Sequence, residues 1–448
     1  MEIFYITAFQ ELAVPSLLRF SPIRPPFRNS IKQVIRMSMR INEIHIMKLD
    51  KTLGAKIMAQ SEERLKDIEI CMQYGEDQES YNGAVIPPTF GNTLFVYPTF
   101  EELGKAVSKE QDHFVYTRGT NPTVHIAERK LAELERGEAC KCFASGMAAI
   151  SAALQNSLQS GDHVLCISNV YFSAMDLLTY MEKFNVSHSV IYSTDIAAIE
   201  QALLPSTKVI YFECPTDHNF RLIDLKALAS LAKSRGIRTI IDNTWATPLF
   251  QKPLTHGIDI VVHSTSKYLG GHSDLMGGAV ISSKQIISKI FTDEFILFGG
   301  IMPPQEASQL LRSLRTLPIR MKTHEANAFE VAKFLESHAA VQAVHYPGLP
   351  THPDFELGQR QLTGYSGLLS FSLKDATYET VKKVINKTKM FQIGVSWGSF
   401  ESLIMSPNYG NNAEQLKKEH TSQGLIRISI GQGDVEELIQ DLKQALEE

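Results

Sequence analysis

The fold is decided by the stretch from Lys208 to Lys267, which reads KVIYFECPTDHNFRLIDLKALASLAKSRGIRTIIDNTWATPLFQKPLTHGIDIVVHSTSK. Short apolar runs alternate in it with helical periodicity and lie at residues 208–213, 237–243 and 259–264. The helical segment from Asp224 to Arg235 begins on an Asp, a residue that caps helix N-termini, and is followed by Gly236. Alternating strands and helices predict an α/β fold whose mostly parallel sheet is covered on both faces.

The sequence on either side extends this pattern and then departs from it. Further strand candidates lie at residues 163–168, 188–193 and 277–282. A helix candidate runs from Thr123 to Gly137, where the glycine is a C-cap signal. Towards the C-terminus the periodicity is helical from Pro303 to Ser337. Two alternating runs, around 369–373 and 425–430, and a closing helix from Asp434 then predict a smaller α+β domain.

Length and composition limit what this chain can be. Its 448 residues suggest two or three domains, and 44% hydrophobic with 21% charged residues is typical of a folded globular chain. The net charge of -5 provides no excess of positive charge that would attract nucleic acid or an anionic membrane. No apolar run approaches the roughly 20 residues that cross a bilayer. We therefore predict no nucleic-acid or membrane partner. Cys140 and Cys142 are too close for a zinc site, so we predict five free thiols in a reducing compartment and no metal.

The first fifty residues differ in composition from the rest. Between Leu12 and Asn42 there is no Asp or Glu, while six Lys and Arg residues are present. This is typical of an organelle transit peptide, but it also fits translation from an upstream start codon, with Met37, Met47 or Met58 as the true beginning. We favour the second interpretation and leave this segment out of the fold.

Two ionisable residues follow predicted strands at their carboxyl ends, where ligands bind in open α/β sheets. Asp242 closes the run IRTIID, and Lys267 follows the run DIVVHS by three residues. A carboxylate and an amine at one edge suit a cofactor with a ring nitrogen, because the acid can hold a pyridinium protonated and the amine can form a Schiff base. The amine must then be desolvated or lie near positive charge, so that it is free to attack a carbonyl.

A phosphate cradle is predicted at Ser145-Gly146-Met147, between the run KCFA and the helical run MAAISAALQ. A helix N-terminus with a glycine offers backbone N–H groups to an anion, and the hydroxyls of Ser264 and Ser266 can add donors. Each feature alone is weak, because a strand-end Asp more often caps a helix and such a Lys is usually solvated. Their joint placement at one edge of one sheet favours a site.

The same residues admit a rival interpretation. Ser264-Thr265-Ser266-Lys267 matches the S-x-x-K pattern of penicillin-recognising serine hydrolases, in which the serine opens a helix and the lysine lies one turn later. Here a β-run leads into the motif, and the residues YLGG that follow are poor helix formers. Neither S-D-N nor K-T-G occurs downstream, so we disfavour a hydrolase.

Longer motifs resemble one family. The segment YTRGTNPT from Tyr116 is similar to the Y-[ST]-R-x-x-N-P-T segment of the Cys/Met-metabolism group of pyridoxal-phosphate enzymes, which includes the cystathionine lyases and synthases. SGMAA from Ser145, STSKY from Ser264 and SWGSFESL from Ser396 resemble further motifs of that family in the same order. The resemblance covers about residues 70–447. It implies an aspartate-aminotransferase-like (fold type I) α/β domain with a mostly parallel sheet, followed by the smaller α+β domain.

The resemblance implies pyridoxal 5'-phosphate as the cofactor and assigns roles to the site residues. Lys267 forms the Schiff base, Asp242 pairs with the pyridine nitrogen, and Tyr171 stacks on the ring. The phosphate is bound by the amides of Gly146 and Met147, the hydroxyls of Ser264 and Ser266, and Tyr116 and Arg118 of a neighbouring subunit. The active unit is therefore expected to be at least a dimer with a shared active site, and we predict a homotetramer.

The resemblance also implies the substrate contacts. Arg427 and Ser396 hold the substrate carboxylate with Trp397 beside them, Lys267 removes the α-proton, and Tyr171 exchanges a proton with the leaving sulfur. These roles predict a cytoplasmic carbon–sulfur lyase of transsulfuration that cleaves cystathionine or a related sulfur amino acid by β- or γ-elimination. Cystathionine β-lyase is the preferred member. The alternative is a γ-replacement enzyme, either a cystathionine γ-synthase or an O-acylhomoserine sulfhydrylase.

Several positions depart from the family pattern. Where the family usually reads E-S-P-x-N-P, Glu213 is followed by CPTDH, so the family's contacts to the cofactor's ring hydroxyl are not assured. His218 is then either a substrate contact or a loop residue. Ser173 differs from the residue common in methionine γ-lyases, and Val395 differs from the residue common in cystathionine γ-lyases and γ-synthases. Both positions therefore disfavour those members of the family. Trp397 is more similar to bacterial cystathionine β-lyases, although it could simply pack.

The expected domain limits follow from these segments. Residues 1–60 form an N-terminal extension outside the core, and residues 61–115 form an N-terminal arm. Residues 116–300 form the large cofactor-binding domain, and residues 301–448 form the small C-terminal domain.

Overall fold

A computed structural model describes residues 66–447 of the chain. The interpretations of the N-terminal extension, including the alternative start sites, lie outside the described residues. The strands of the large sheet are β1 Ala139–Phe143, β2 His163–Ile167, β3 Ser187–Ile191, β4 Thr207–Glu213, β5 Arg238–Asp242, β6 Ile260–Ser264 and β7 Gly278–Ser282. Their order is β1-β7-β6-β5-β4-β2-β3. The strands β2 to β6 are parallel, whereas β7 runs antiparallel to both β6 and β1.

Each central strand divides its side chains between two cores. In β4, Ile210 and Phe212 belong to one buried cluster, while Val209 and Tyr211 belong to the other. Successive strand residues point to opposite faces, so a strand that is apolar at every position needs cover on both sides. This explains why the runs inferred from the sequence are continuously hydrophobic and why helices cover both faces of the sheet.

The helices fill the connections between these strands and cover the second sheet. They span residues 66–72, Phe100–Ser108, Pro122–Glu135, Gly146–Ser157, Phe172–Met181, Ile196–Ala202, Leu225–Arg235, Thr247–Phe250, Lys284–Ile290, Ile296–Phe298, Pro304–Leu314, Leu317–Ser337, Phe355–Gln361, Tyr378–Lys387, Ala413–Lys418 and Val435–Glu447. Short 3₁₀ or π turns lie at Glu79–Tyr81, Glu110–Asp112, Glu182–Phe184, Pro253–His256 and Phe291–Phe295. Among residues 66–447, no helix is long and apolar enough to cross a membrane.

Two helix limits differ from those expected. The helix Pro122–Glu135 ends two residues before Gly137, because Arg136 itself takes the left-handed conformation with φ of 61°. Gly137 is needed for space instead, since a Cβ there would lie 2.4 Å from Cγ2 of Ile281. The helical periodicity of residues 303–337 belongs to two helices, and the second carries Pro318 in its first turn, where a missing N–H costs nothing.

The second sheet has the strand order β10-β11-β12-β9-β8. Its strands are β8 Val341–His345, β9 Leu368–Leu373, β10 Gln392–Ile393, β11 Leu403–Met405 and β12 Leu425–Ser429. The two alternating runs of the sequence are the central antiparallel pair β9 and β12. The other three strands were not predicted, because they are short or carry exposed positions that leave no regular pattern.

Candidate active site

The carboxyl ends of β4, β5 and β6 bring three functional residues to one edge of the large sheet. Glu213 and Asp242 are register partners at the ends of β4 and β5. Lys267 lies in the turn that follows β6, whose Val262 pairs with Asp242. The edge predicted from the sequence therefore exists, and it includes an acid, Glu213, that the motif comparison did not identify as a site residue. Glu213 could have been found from the sequence, because it closes a predicted strand on a carboxylate just as Asp242 does.

Asp242 is held by the residue two positions later. Its Oδ1 accepts hydrogen bonds from the backbone N–H of Thr244, at 2.9 Å, and from the Thr244 hydroxyl. Burial raises the pKa of Asp242, and the hydrogen bonds from Thr244 limit the rise. Among the described residues nothing donates to Oδ2, so this oxygen can accept the N–H of a protonated ring nitrogen.

Lys267 has the environment that the sequence argument required. Its Nζ donates to Oγ of Ser396 at 2.8 Å and lies 5.5 Å from the ring centre of Trp397. Burial lowers the pKa of Lys267 below its ordinary value of 10.5, the charge of Arg427 lowers it further, and Asp242 opposes both effects. A larger fraction of the amine is therefore uncharged and nucleophilic near neutral pH.

The loop from Ser396 to Gly398 fits closely against the lysine. Gly398 has φ of 88°, and a Cβ at this position would lie 2.9 Å from the backbone nitrogen of Tyr268 and 3.2 Å from Cβ of Lys267. Ser396 is also in the left-handed region, with φ of 63°. The loop thus brings the Ser396 hydroxyl and the Trp397 ring close to the amine.

The phosphate cradle is formed by the start of the helix Gly146–Ser157. Ser145 caps this helix by accepting the N–H of Ala148 at 3.1 Å. The amides of Gly146 and Met147 find no acceptor among the described residues, as expected for the first turn of a helix. A Cβ on Gly146 would lie 2.9 Å from Cβ of Ser264, so the helix end and this hydroxyl side chain share one small space. Free amides, a nearby hydroxyl and the absence of a Cβ fit the phosphate of the predicted cofactor.

The two serines of the lysine loop differ in their contacts. Ser264 closes β6, and its backbone N–H donates to the Thr244 hydroxyl at 2.8 Å. Because Ser264 ends a strand instead of opening a helix, the hydrolase interpretation loses the geometry it needs. Oγ of Ser266 accepts the N–H of Gly277 at 3.0 Å, so this hydroxyl already stabilises the neighbouring loop.

Tyr171 is placed by its backbone above the buried acid. Its N–H donates to Oε1 of Glu213 at 2.6 Å, while its side chain is 42% exposed and meets the Phe172 ring edge-on at 4.9 Å. Burial, followed by the charges of Asp242 and Asp217, raises the pKa of Glu213 well above its ordinary range. The backbone of Tyr171 is therefore anchored at the sheet edge, while its ring is open to a ligand.

Arg427 reaches the site from β12 of the second sheet. Its Nη2 lies 2.9 Å from Sδ of Met405, and its Nη1 lies 4.0 Å from Oδ1 of Asp217. The positive charge of Arg427 lowers the pKa of Lys267, so the two charged groups lie close enough to interact. Arg427, Ser396 and Trp397 thus bring the second domain to the edge of the large sheet.

Tyr116 and Arg118 lie elsewhere on the surface of this chain. The guanidinium of Arg118 is 5.7 Å from the centre of the Tyr116 ring, and both side chains are exposed. Among the described residues, no contact joins them to Lys267 or Asp242. The other site residues inferred from the sequence come together, but these two remain available to a second subunit.

Among residues 66–447, no group of three or more potential metal ligands lies together. The family model for "Cys/Met metabolism PLP-dependent enzyme" matches residues 69–447.

The chain belongs to this family.

Relatives within the Cys/Met metabolism family carry several names. The chain is 36% identical to L-methionine gamma-lyase of Fusobacterium nucleatum subsp. nucleatum over 82% of its length and 94% of that protein. It is 36% identical to cystathionine beta-lyase of Lactococcus lactis subsp. cremoris over 83% of its length and 97% of that protein. A crystal structure of metB from Corynebacterium glutamicum matches with a TM-score of 0.79 and 32% identity, covering 85% of this chain and 97% of the other.

Membership of the Cys/Met metabolism family confirms four of the predictions. The family, the pyridoxal-phosphate cofactor and the enzymatic nature of the chain follow from the matching model and the relatives. The match to metB and the observed sheets confirm the fold type I architecture with a second, smaller sheet domain. The roles of individual residues stay predictions.

Proposed function

We propose that this chain is a pyridoxal-phosphate-dependent carbon–sulfur lyase that acts on a sulfur amino acid, with β-cleavage of cystathionine as its preferred reaction. The observation that carries the proposal is the position of Lys267, whose partly buried amine donates to Ser396 at 2.8 Å and lies close enough to Asp242 and Arg427 for both charges to shift its pKa. This arrangement suits a ring-nitrogen cofactor and a substrate carboxylate at the same amine.

The cofactor would be held by groups that the site already presents. Lys267 would hold it covalently, Oδ2 of Asp242 would accept the ring N–H, and Tyr171 would stack on the ring. The phosphate would lie at the amides of Gly146 and Met147 with Ser264 and Ser266, and Tyr116 and Arg118 would reach it from a second subunit. When bound, pyridoxal phosphate supplies an electron sink for the electron pair that the substrate retains when its α-proton leaves.

The protein side chains then orient the substrate and move its protons. Arg427 binds the α-carboxylate with its planar fork, and Ser396 adds a hydroxyl donor. This holds the α-carbon towards Nζ of Lys267, whose lowered pKa makes it a base near neutral pH. The hydroxyl of Tyr171, open at the mouth of the site, gives a proton to the departing sulfur.

Cleavage at the β-carbon and cleavage at the γ-carbon are distinguished by their products. The S-W-G sequence around Trp397 and the Lactococcus relative named cystathionine beta-lyase support β-cleavage. The Fusobacterium relative named L-methionine gamma-lyase favours γ-elimination as the second candidate. With water, β-cleavage of cystathionine releases homocysteine, pyruvate and ammonia, whereas γ-cleavage releases cysteine, 2-oxobutyrate and ammonia.

The experiment is a substrate panel on the cofactor-loaded protein. Cystathionine is supplied first, and O-acylhomoserine with cysteine or sulfide is supplied separately. Pyruvate with homocysteine is the expected result, and 2-oxobutyrate would move the assignment to γ-elimination. Condensation of acylhomoserine without cleavage of cystathionine would overturn the lyase and support a γ-replacement enzyme. Lys267→Ala, checked for an unchanged circular dichroism spectrum, should lose turnover.

We further propose that the protein is a cytoplasmic homotetramer whose large domain ends near residue 300. Large apolar side chains are exposed on the surface and would be covered by further copies of the chain. They are Val85, Val96, Phe100, Leu297 and Phe298.

All five cysteines are buried and unpaired, which supports a reducing compartment. The strands β1 to β7 end at Ser282 and the next strand begins at Val341, which supports the domain limit. Light scattering on the protein as it elutes from a size-exclusion column measures the mass of the assembly and would test the proposed tetramer.

A further inference from the structure

Arg427 shares its site with an acid that none of the roles above uses. Oδ1 of Asp217 lies 4.0 Å from Nη1 of Arg427, and the two side chains are only 19% and 13% exposed. Among the described residues, no other carboxylate lies within ion-pair distance of this guanidinium. Its second nitrogen contacts Met405 Sδ, which is a weak acceptor. Before any ligand binds, the carboxylate of Asp217 is therefore the anionic neighbour of the Arg427 guanidinium.

The Asp217 carboxylate is fixed in place by its own loop. Oδ1 accepts the backbone N–H of His218 at 2.9 Å, and Oδ2 lies 3.6 Å from Nε2 of the same histidine. The backbone N–H of Asp217 donates to the carbonyl of Asn169 at 3.2 Å. Burial alone would raise the pKa of Asp217, but the nearby His218 and Arg427 outweigh it and hold that pKa below its ordinary value. The residue is thus an anion at neutral pH.

The loop is also tied to the strand pair that carries the arginine. The hydroxyl of Ser370 donates to the backbone carbonyl of His218. Ser370 lies on β9 and is the register partner of Arg427 on β12. This hydrogen bond ties the backbone beside Asp217 to the strand pair that carries Arg427, so an arriving ligand meets both charges together.

We propose that Asp217 is a specificity-determining residue that disfavours simple carboxylates and admits zwitterionic α-amino acids. A carboxylate that binds Arg427 comes within a few ångströms of the Asp217 anion and is repelled by it. An α-ammonium on the same ligand offsets this repulsion, whereas a carboxylic acid without an amine has nothing to offset it. The inference rests on the proposed role of Arg427 as the carboxylate-binding residue, and the chemistry it selects is the amine next to the carboxylate.

The experiment compares two ligands on the cofactor-loaded protein. Propionate carries the carboxylate alone and is titrated by calorimetry, while alanine carries the amine as well but no leaving group and is titrated by the cofactor's absorbance. Asp217→Asn keeps the acceptor for the His218 N–H and removes the charge. It should tighten propionate binding by about tenfold, as expected for a like charge at this range, and alanine binding clearly less.

Two comparison variants separate the possible failures. Glu200→Gln removes a charge from an exposed ion pair with Arg235 and should leave both affinities unchanged. Arg427→Met should weaken propionate binding, and an unchanged affinity there would refute the role of Arg427 and the proposed site with it. If Arg427→Met weakens binding but Asp217→Asn leaves propionate unchanged or weaker, only the present proposal is refuted. Asp217→Ser provides a second charge-free variant should the Asn variant fold poorly.

Discussion

At the scale of single residues, the reactivity of this site depends on how one lysine is surrounded. The amine of Lys267 is partly withdrawn from water, and the guanidinium of Arg427 adds a like charge. Both effects disfavour the ammonium form, and only Asp242 favours it. A surface lysine with the same sequence neighbours would stay charged, so the tertiary environment is what makes the amine a nucleophile.

We expect Lys267 to titrate below its ordinary value of 10.5 in the cofactor-free protein, and Arg427→Met to raise that pKa. Removing the like charge stabilises the ammonium, so a smaller fraction of the amine is uncharged at any given pH. The measurement is an NMR titration of lysines labelled by reductive ¹³C-methylation, with the Lys267 signal identified through Lys267→Ala. If the titration of Lys267 is the same with and without the guanidinium, the two groups do not face each other. Glu200→Gln serves as the control for a general change of charge.

At the scale of an element, the start of the helix Gly146–Ser157 is held closely against the end of a strand. The start of this helix lies against the end of β6, where Ser264 occupies the space that a side chain on Gly146 would need. Glycine is needed at position 146 because the helix and Ser264 approach each other closely, and not because the backbone there has a positive φ. The free amides of the first turn can therefore point at an anion lying between helix and strand.

Gly146→Ala should weaken retention of the cofactor by about tenfold, since an added methyl group must displace Ser264 and overpacking of this kind costs roughly 1–3 kcal/mol. Equilibrium dialysis followed by the cofactor's absorbance measures this loss. Gly433→Ala is the matched control, because a Cβ there meets nothing within 4 Å. Equal retention in the two variants would show that the helix start does not form the phosphate cradle.

At the scale of the whole molecule, the exposed position of Tyr116 and Arg118 gives the proposed shared site a direct test. Arg118→Ala and Lys267→Ala should each be nearly inactive as pure oligomers. When the two variants are unfolded together and refolded, mixed dimers should regain activity. The lysine of one subunit then meets the arginine of the other, so one complete site forms. An absence of recovery, with mixed oligomers demonstrated by native mass spectrometry, would contradict a shared site.

Acid stability is a second property of the whole molecule, and we expect it to depend on histidines withdrawn from water. His324 lies in the helix Leu317–Ser337, where its Nδ1 donates to the carbonyl of Ile430 at 2.8 Å and its Nε2 has no partner among the described residues. Burial lowers the pKa of His324 from 6.5 to about 4. His345 and His352 are lowered to the same range by burial.

The unfolded chain therefore binds more protons than the folded one between about pH 6.5 and 4. The stability is fully present above pH 6.5 and is lost as the pH falls through this range, by up to about 3 kcal/mol for His324 alone. We expect His324→Gln to flatten the dependence of the unfolding free energy on pH, as measured by urea denaturation at several pH values. His113→Gln, at an exposed position, should leave the slope unchanged. A slope that persists in the first variant would assign the acid sensitivity to other groups.

Much of this architecture is determined by local pattern in the sequence. The apolar runs of β2 and of β4 to β7, and the Asp224 cap of the helix Leu225–Arg235, are where the sequence places them. A short run that is apolar at every position indicates a strand buried on both faces when turn residues bound it and β-branched residues fill it. The strand ends also identified Asp242 and Lys267, because in parallel sheets the carboxyl ends of neighbouring strands meet at one edge.

Other features were decided only by the tertiary structure. No local pattern indicates that the side chain of Asp217 faces Arg427, or that Gly137 is needed for space against Ile281. These relations join residues that are far apart along the chain, and their energies depend on burial and on the distances between charges. Periodicity and capping act over a few residues, so they determine which elements form. Pairings across the molecule, which set the pKa of Lys267 and the proposed selectivity of the site, depend on how those elements pack.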